Sequence, residues 1–226
     1  MTDPATRDIS GPARSASGTT GGVSPVLLVI AAVCILIELV LQGADLKLFG
    51  SPVWRSRTYQ YGAFWPGLLH GWRPNYAAQP YAMFLTYAML HGGLGHLAGN
   101  MFTLLALGET VVRRVGQRGF VLIYSTAALG GAALFGLTAD GPRPMVGASG
   151  ALFGLAAALI YWNFVIPEHT AGRMRRLAAA IGSLIVLNAL LWVLLDGLLA
   201  WETHLGGFLA GWLAAWLLDR WARRRG

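Results

Sequence analysis

Six apolar runs restrict what this chain can fold into more than any other feature. They lie at about Pro25–Leu41, Leu94–Val112, Phe120–Leu137, Ser149–Ile166, Leu177–Leu195 and Thr203–Leu218. Each approaches the roughly 20 residues that an α-helix needs to cross a bilayer, and some are a little short. They predict an all-α polytopic membrane protein with six transmembrane helices. Composition agrees: 55% of the 226 residues are hydrophobic and 12% charged. Mean hydropathy is +0.54. A soluble domain of ordinary make-up is not that apolar. The net charge of +7 does not point to nucleic acid, because the basic residues cluster in short segments between the apolar runs. The one cysteine, Cys34, lies within an apolar run, so no intramolecular disulfide can form, and no Cys/His cluster suggests zinc.

The flanking segments complete the organisation. Residues 1–24 are rich in Gly, Ser, Thr and Pro. They lack a basic start followed at once by an apolar core, and are expected to be a disordered tail rather than a signal peptide. Residues 25–221 form the membrane domain and 222–226 a basic tail. Residues 44–93 make one long loop rich in Trp, Tyr, Pro and Gly, suited to the membrane interface. Within it "YAMFLTYAML" is the best candidate for a short helix. With the N-terminus inside, the inner segments carry Arg7, Arg14, Arg113, Arg114, Arg118, Arg173, Arg175, Arg176, Arg220, Arg223, Arg224 and Arg225, twelve in all. The outer segments carry five: Lys47, Arg55, Arg57, Arg73 and Arg143. The positive-inside rule then places both termini in the cytoplasm.

That orientation brings four polar residues to one depth. Spans two, four and six all run from outside to inside. Their first turns hold His96 and Asn100, Ser149, and His204 respectively. Polar groups in a membrane are costly and usually face the protein interior or a wet cavity. Ser149 and His204 suit a nucleophile and its base, since an imidazole can take the hydroxyl proton as the serine attacks a carbonyl. His96 and Asn100, spaced i, i+4, share a helix face. With the Ser149 backbone N–H they suit stabilisation of an oxyanion. Each residue also has a plainer use. Ser149 in "GASG" can be a small packing residue, His204 an interfacial histidine, Asn100 polar glue between helices, and His91 an organiser of the loop. Gly150 and Gly154, and Gly207 and Gly211, present small faces through which spans four and six can approach closely. No H-E-x-x-H motif or pair of mid-membrane aspartates suggests other hydrolytic chemistry, and no metal or cofactor is expected. Glu38, near the end of span one, is a lone acid that can snorkel or bond a neighbour.

The strings "HGGLGHLAGNM" (His91–Met101), "GASGALFG" (Gly147–Gly154) and "HLGGFLAG" (His204–Gly211), in this order on spans two, four and six, resemble the rhomboid family of intramembrane serine proteases. The resemblance covers roughly Gln79 to Trp216. It implies a serine–histidine dyad without an aspartate, here Ser149 and His204, with oxyanion help from His96 and Asn100. Gly147 would shape the turn before the serine. It implies cleavage of single-pass membrane proteins near the outer face of the bilayer, residence in a bacterial inner membrane, and access through movement of span five and the loop near Asp196 to Glu202. Three departures stand out. Phe153 replaces a tyrosine that stacks on the histidine. The expected Trp-Arg pair before His91 is missing, and Trp72-Arg73 lies too far upstream. Val112 stands where a glutamate is common, with Glu109 nearby. A proteolytically inactive relative that binds membrane clients is the rival reading; a transporter would show charged or broken helices or inverted repeats, and none is evident.

Overall fold

Apolar segments that meet in lipid gain little from the hydrophobic effect and associate through close packing instead, so small residues decide where helices touch. A computed structural model describes residues 22–139, 141–165, 170–194 and 199–225. Among these the regular elements are helices, joined by one antiparallel bridge between Phe64 and Met145. Most of the expected N-terminal tail, and Asp196 in the expected mobile loop, lie outside the described residues.

Helix α1 spans Pro25–Asp45, with proline at its first position, where the missing N–H costs nothing. It runs one turn past the expected end at Leu41, because Asp45 meets Arg55 at 2.6 Å and its charge is satisfied at the helix end. The long loop is folded into short elements: α2 (Val53–Gly62), a 3-10 turn at Pro66–Leu69, and α3 (Gln79–Thr86), which passes into a 3-10 turn at Tyr87–Met89. The last two cover the helix expected at "YAMFLTYAML". Expected spans two and three are the arms of α4 (Leu94–Thr138), broken at Gly116, whose φ of 71° is outside the helical region. Gly108 in the first arm lies beside Phe120 in the second, so the chain folds back there. Then follow α5 (Ser149–Val165), α6 (Thr170–Leu194) and α7 (Trp201–Arg223).

Helices α1, α4, α5 and α7 share a core that includes Leu27, Leu104, Ile123, Leu155 and Ala215. Helix α7 lies against both α4 and α5 at backbone distance. A methyl group at Gly206 would strike the Gly130 carbonyl, at Gly207 the Gly150 carbonyl, and at Gly211 the Gly154 carbonyl. A second cluster, with Phe64, Met83, Tyr87, Phe135 and Met145, locks the folded loop onto the second arm of α4. Helix α6 is different: no residue of its Met174–Leu191 stretch is buried. By length and composition α1, α4 and 174–191 are able to cross a membrane, and Ser149–Phe164 is a shorter apolar helix. With Leu28, Leu36, Leu129 and Leu209 among many exposed apolar side chains, the chain is a multi-pass integral membrane protein.

Candidate active site

The approach to Ser149 is held from two sides before α5 begins. Phe64 and Met145 exchange backbone hydrogen bonds at 3.0 and 2.9 Å, and the Gly147 N–H donates to the Tyr87 carbonyl at 3.0 Å. Tyr87 is itself fixed, its hydroxyl donating to the Ala128 carbonyl at 2.9 Å. Gly147 has a φ of 123°, in the region that favours glycine, and a Cβ there would lie 2.7–2.8 Å from the His96 ring. The imidazole of His96 therefore rests on the peptide just before the serine. Ser149 then opens α5, where the first N–H groups of a helix have no intrahelical partner.

His204 comes from the first turn of α7. Its Nε2 lies 2.8 Å from Ser149 Oγ. Its ring is stacked on Phe153, with centroids 4.2 Å apart and planes 6° from parallel. Its Nδ1 faces Asn188 Oδ1 of α6 at 2.5 Å. An amide oxygen only accepts, so Nδ1 carries the hydrogen and Nε2 keeps a lone pair for the serine hydroxyl. The approach depends on glycine: a Cβ at Gly150 would lie 2.5 Å from the Thr203 methyl.

Asn100 and His91 are arranged around His96. The Gly92 N–H donates to His96 Nδ1 at 3.2 Å, which leaves the ring hydrogen on Nε2, the atom beside Gly147. Asn100 Nδ2 donates to the His96 carbonyl at 2.8 Å. Its Oδ1 is buried without a partner among the described residues. No hydrogen bond joins Asn100 to Ser149 among the described contacts. The His91 ring is fully buried, edge-on to His96 at 5.3 Å. Burial pushes its pKa down to about 4, and His96 pushes the same way, so it is neutral at pH 7.

His91 also marks a support that sequence reasoning missed. Its carbonyl accepts from the Tyr59 hydroxyl at 2.6 Å and from Arg55 at 3.2 Å. Arg55 in turn pairs with fully buried Glu38 at 2.8 Å and with Asp45 at 2.6 Å. The hydrogen bond to Glu38, above all, holds the guanidinium charged. Glu38, the acid within span one, thus has its partner, and the arginine that reaches the loop follows Trp54. Asn188 was missed as well, although an amide inside the apolar run "SLIVLNALLWVL" is itself a signal. Among the described residues no cluster of three or more His, Cys, Asp or Glu is placed to hold a metal ion.

Residues 77–221 match the family model described as the Rhomboid domain. The chain belongs to the rhomboid family. The matched part of this rhomboid runs from just before α3 to near the end of α7 and leaves out α1 and α2. RHOMBOID-like protein 5 of Arabidopsis thaliana is 36% identical over 57% of the chain and 41% of its own length. Rhomboid protease GluP of Bacillus subtilis is 34% identical over 58% of the chain and 25% of its own length. RHOMBOID-like protein 2 of A. thaliana is 31% identical over 77% and 48%. The chain spans less than half the length of each of these rhomboid relatives.

Proposed function

We propose that this rhomboid is an intramembrane serine protease, and the observation that carries the reading is the 2.8 Å approach of His204 Nε2 to Ser149 Oγ. Ser149 Oγ attacks the scissile carbonyl carbon while Nε2 takes its proton. His204 then returns that proton to the departing amine, and water enters by the same route in reverse to free the acyl group. The developing oxyanion is met by His96 Nε2–H, the Ser149 backbone N–H and the second N–H of Asn100. The substrates are single-pass transmembrane proteins cut near the outer face of the bilayer, where a short path admits water. GluP, a rhomboid protease by name, supports the assignment. Purified protein should label with a fluorophosphonate, and the label should vanish in Ser149→Ala. Absence of label on folded wild-type protein would instead favour an inactive, client-binding relative.

Asn100→Ala is expected to slow cleavage by at most about 100- to 1,000-fold, the cost of losing one oxyanion donor, while fluorophosphonate labelling persists. His96 and the backbone N–H remain to share the oxyanion, and one Asn100 N–H is already spent on the His96 carbonyl. Turnover that falls only as the folded fraction falls would make Asn100 helix glue.

We further propose that both termini are cytoplasmic, from the twelve-to-five division of Lys and Arg. Topology reporters fused at Gly226 and inserted near Gly141 should report opposite sides. A shared side would end the six-span arrangement.

A further inference from the structure

Asn188 is the polar side chain of α6 that reaches the candidate site, and it meets His204 at Nδ1, the nitrogen turned away from the serine. Neutral imidazole has two tautomers, and only the one with hydrogen on Nδ1 offers a lone pair at Nε2. Phe153 cannot make that choice. A ring stacked 6° from parallel fixes the plane of the imidazole, but a half-turn about the Cβ–Cγ bond leaves the stacking intact. An acceptor in the ring plane at Nδ1 does distinguish the two faces and the two tautomers. Asn188 Oδ1 is the described acceptor there.

We propose that Asn188 is a positioning residue for the general base: it holds His204 in the Nδ1–H tautomer with Nε2 aimed at Ser149. The proposal rests on the serine-protease reading above. Its setting gives the bond a second property. Between α6 and α7 runs an apolar cleft of about 560 Å³, bordered by Phe153, Leu184, Ile185, Asn188, His204 and Phe208. No residue of the Met174–Leu191 stretch of α6 is buried, so that helix is held lightly. The Asn188–His204 bond is a polar tie across this cleft, and the base is complete only while α6 lies against α7.

The groups that face His204 are few. Helix α5 offers Ser149 and Phe153, α6 offers Asn188, and His96 on α4 is the titratable neighbour that acts on it among the described residues. A change at position 188 is therefore read against the same neighbours, His96 included, in every variant. Full-length wild type, Asn188→Leu, Asn188→Asp and Asn188→Gln are compared in detergent for unfolding temperature, for the fluorophosphonate labelling rate, and for kcat and KM on a reporter transmembrane substrate across pH. Asn188→Leu should lower kcat and the labelling rate by about tenfold with KM unchanged. Asn188→Gln, keeping an amide oxygen, should recover part of the loss. Asn188→Asp should move the acidic limb of the rate–pH profile to higher pH, because a carboxylate at Nδ1 favours the imidazolium and the base is then lost earlier on acidification. Wild-type kcat in Asn188→Leu, or a loss that only tracks the folded fraction, overturns the proposal. So does an unmoved limb in folded Asn188→Asp. If Asn188→Asp does not fold, the kcat and unfolding temperature of Asn188→Leu decide. Label that survives Ser149→Ala removes the protease reading itself, whereas label lost in Ser149→Ala with unchanged Asn188→Leu removes only the role of Asn188.

Discussion

Ser149→Ala and His204→Ala are each expected to lower cleavage of a transmembrane substrate by on the order of 10⁴- to 10⁶-fold, to the limit of detection, without unfolding the protein. The size follows from the division of labour. A serine hydroxyl is a poor nucleophile until a base takes its proton, and an imidazole with no hydroxyl to deprotonate activates nothing. The two therefore act as a unit, and either loss costs nearly as much as both. The double variant should be no worse than the singles. Folding should survive, because Ser149→Ala removes only a hydroxyl at a helix start and His204→Ala trims a side chain stacked on Phe153. Chelators should have no effect. Cleavage that persists in Ser149→Ala, or stops with chelator, would falsify the serine mechanism.

Gly207→Val is expected to cost on the order of 100-fold or more in kcat although residue 207 touches no reacting atom. Any Cβ at this position would run into the Gly150 carbonyl and lie 3.1 Å from Gly150 Cα. Those are backbone atoms of the neighbouring helix and cannot step aside as a side-chain tip could. Helices α5 and α7 must part, taking Ser149 away from His204, and a misplacement of about 1 Å costs roughly 100-fold. Overpacking of this kind also destabilises by about 1–3 kcal/mol. Gly99→Ala is the control, since its Cβ would meet no atom within 4 Å and should leave both rate and unfolding temperature near wild type. Equal turnover in the two variants would mean that helix spacing does not set the rate.

The features legible in the sequence were those with a local or periodic signature. The apolar runs were visible by length, and the α5–α7 contact through Gly150, Gly154, Gly207 and Gly211, which recur at helical spacing on matching faces. Once those helices touch, residues near their first turns, Ser149 and His204, are carried together. The break at Gly116 lay in the short basic gap between two runs, so two spans were foreseeable even though α4 is continuous on either side of it. The rest depended on tertiary placement. Whether Asn188 faces lipid or His204 depends on the rotation of α6 about its axis, and an apolar run with no polar face gives no reference for that angle. The partnership of Arg55 with Glu38 and with the His91 carbonyl joins residues 17 and 36 positions apart. No local pattern sets such a pairing: the Trp-Arg pair expected shortly before His91 is missing, Trp72-Arg73 is too far upstream, and Trp54-Arg55 is farther still.

The buried Glu38 bears on where the functional unit begins. The match to the family model starts at residue 77, yet the carboxylate that anchors Arg55 stands on α1 and the arginine itself on α2. Through the His91 carbonyl they brace the loop that leads into α4 and His96. Helix α1 also fits into the core through Leu27 against Gly108, and the Ser24 N–H just before it bonds Glu109 at 3.1 Å. The family match and the braced body are thus different objects. A boundary drawn at residue 77 would cut between a strut and the wall it holds, and a transplant of this chemistry into another chain has to begin at α1.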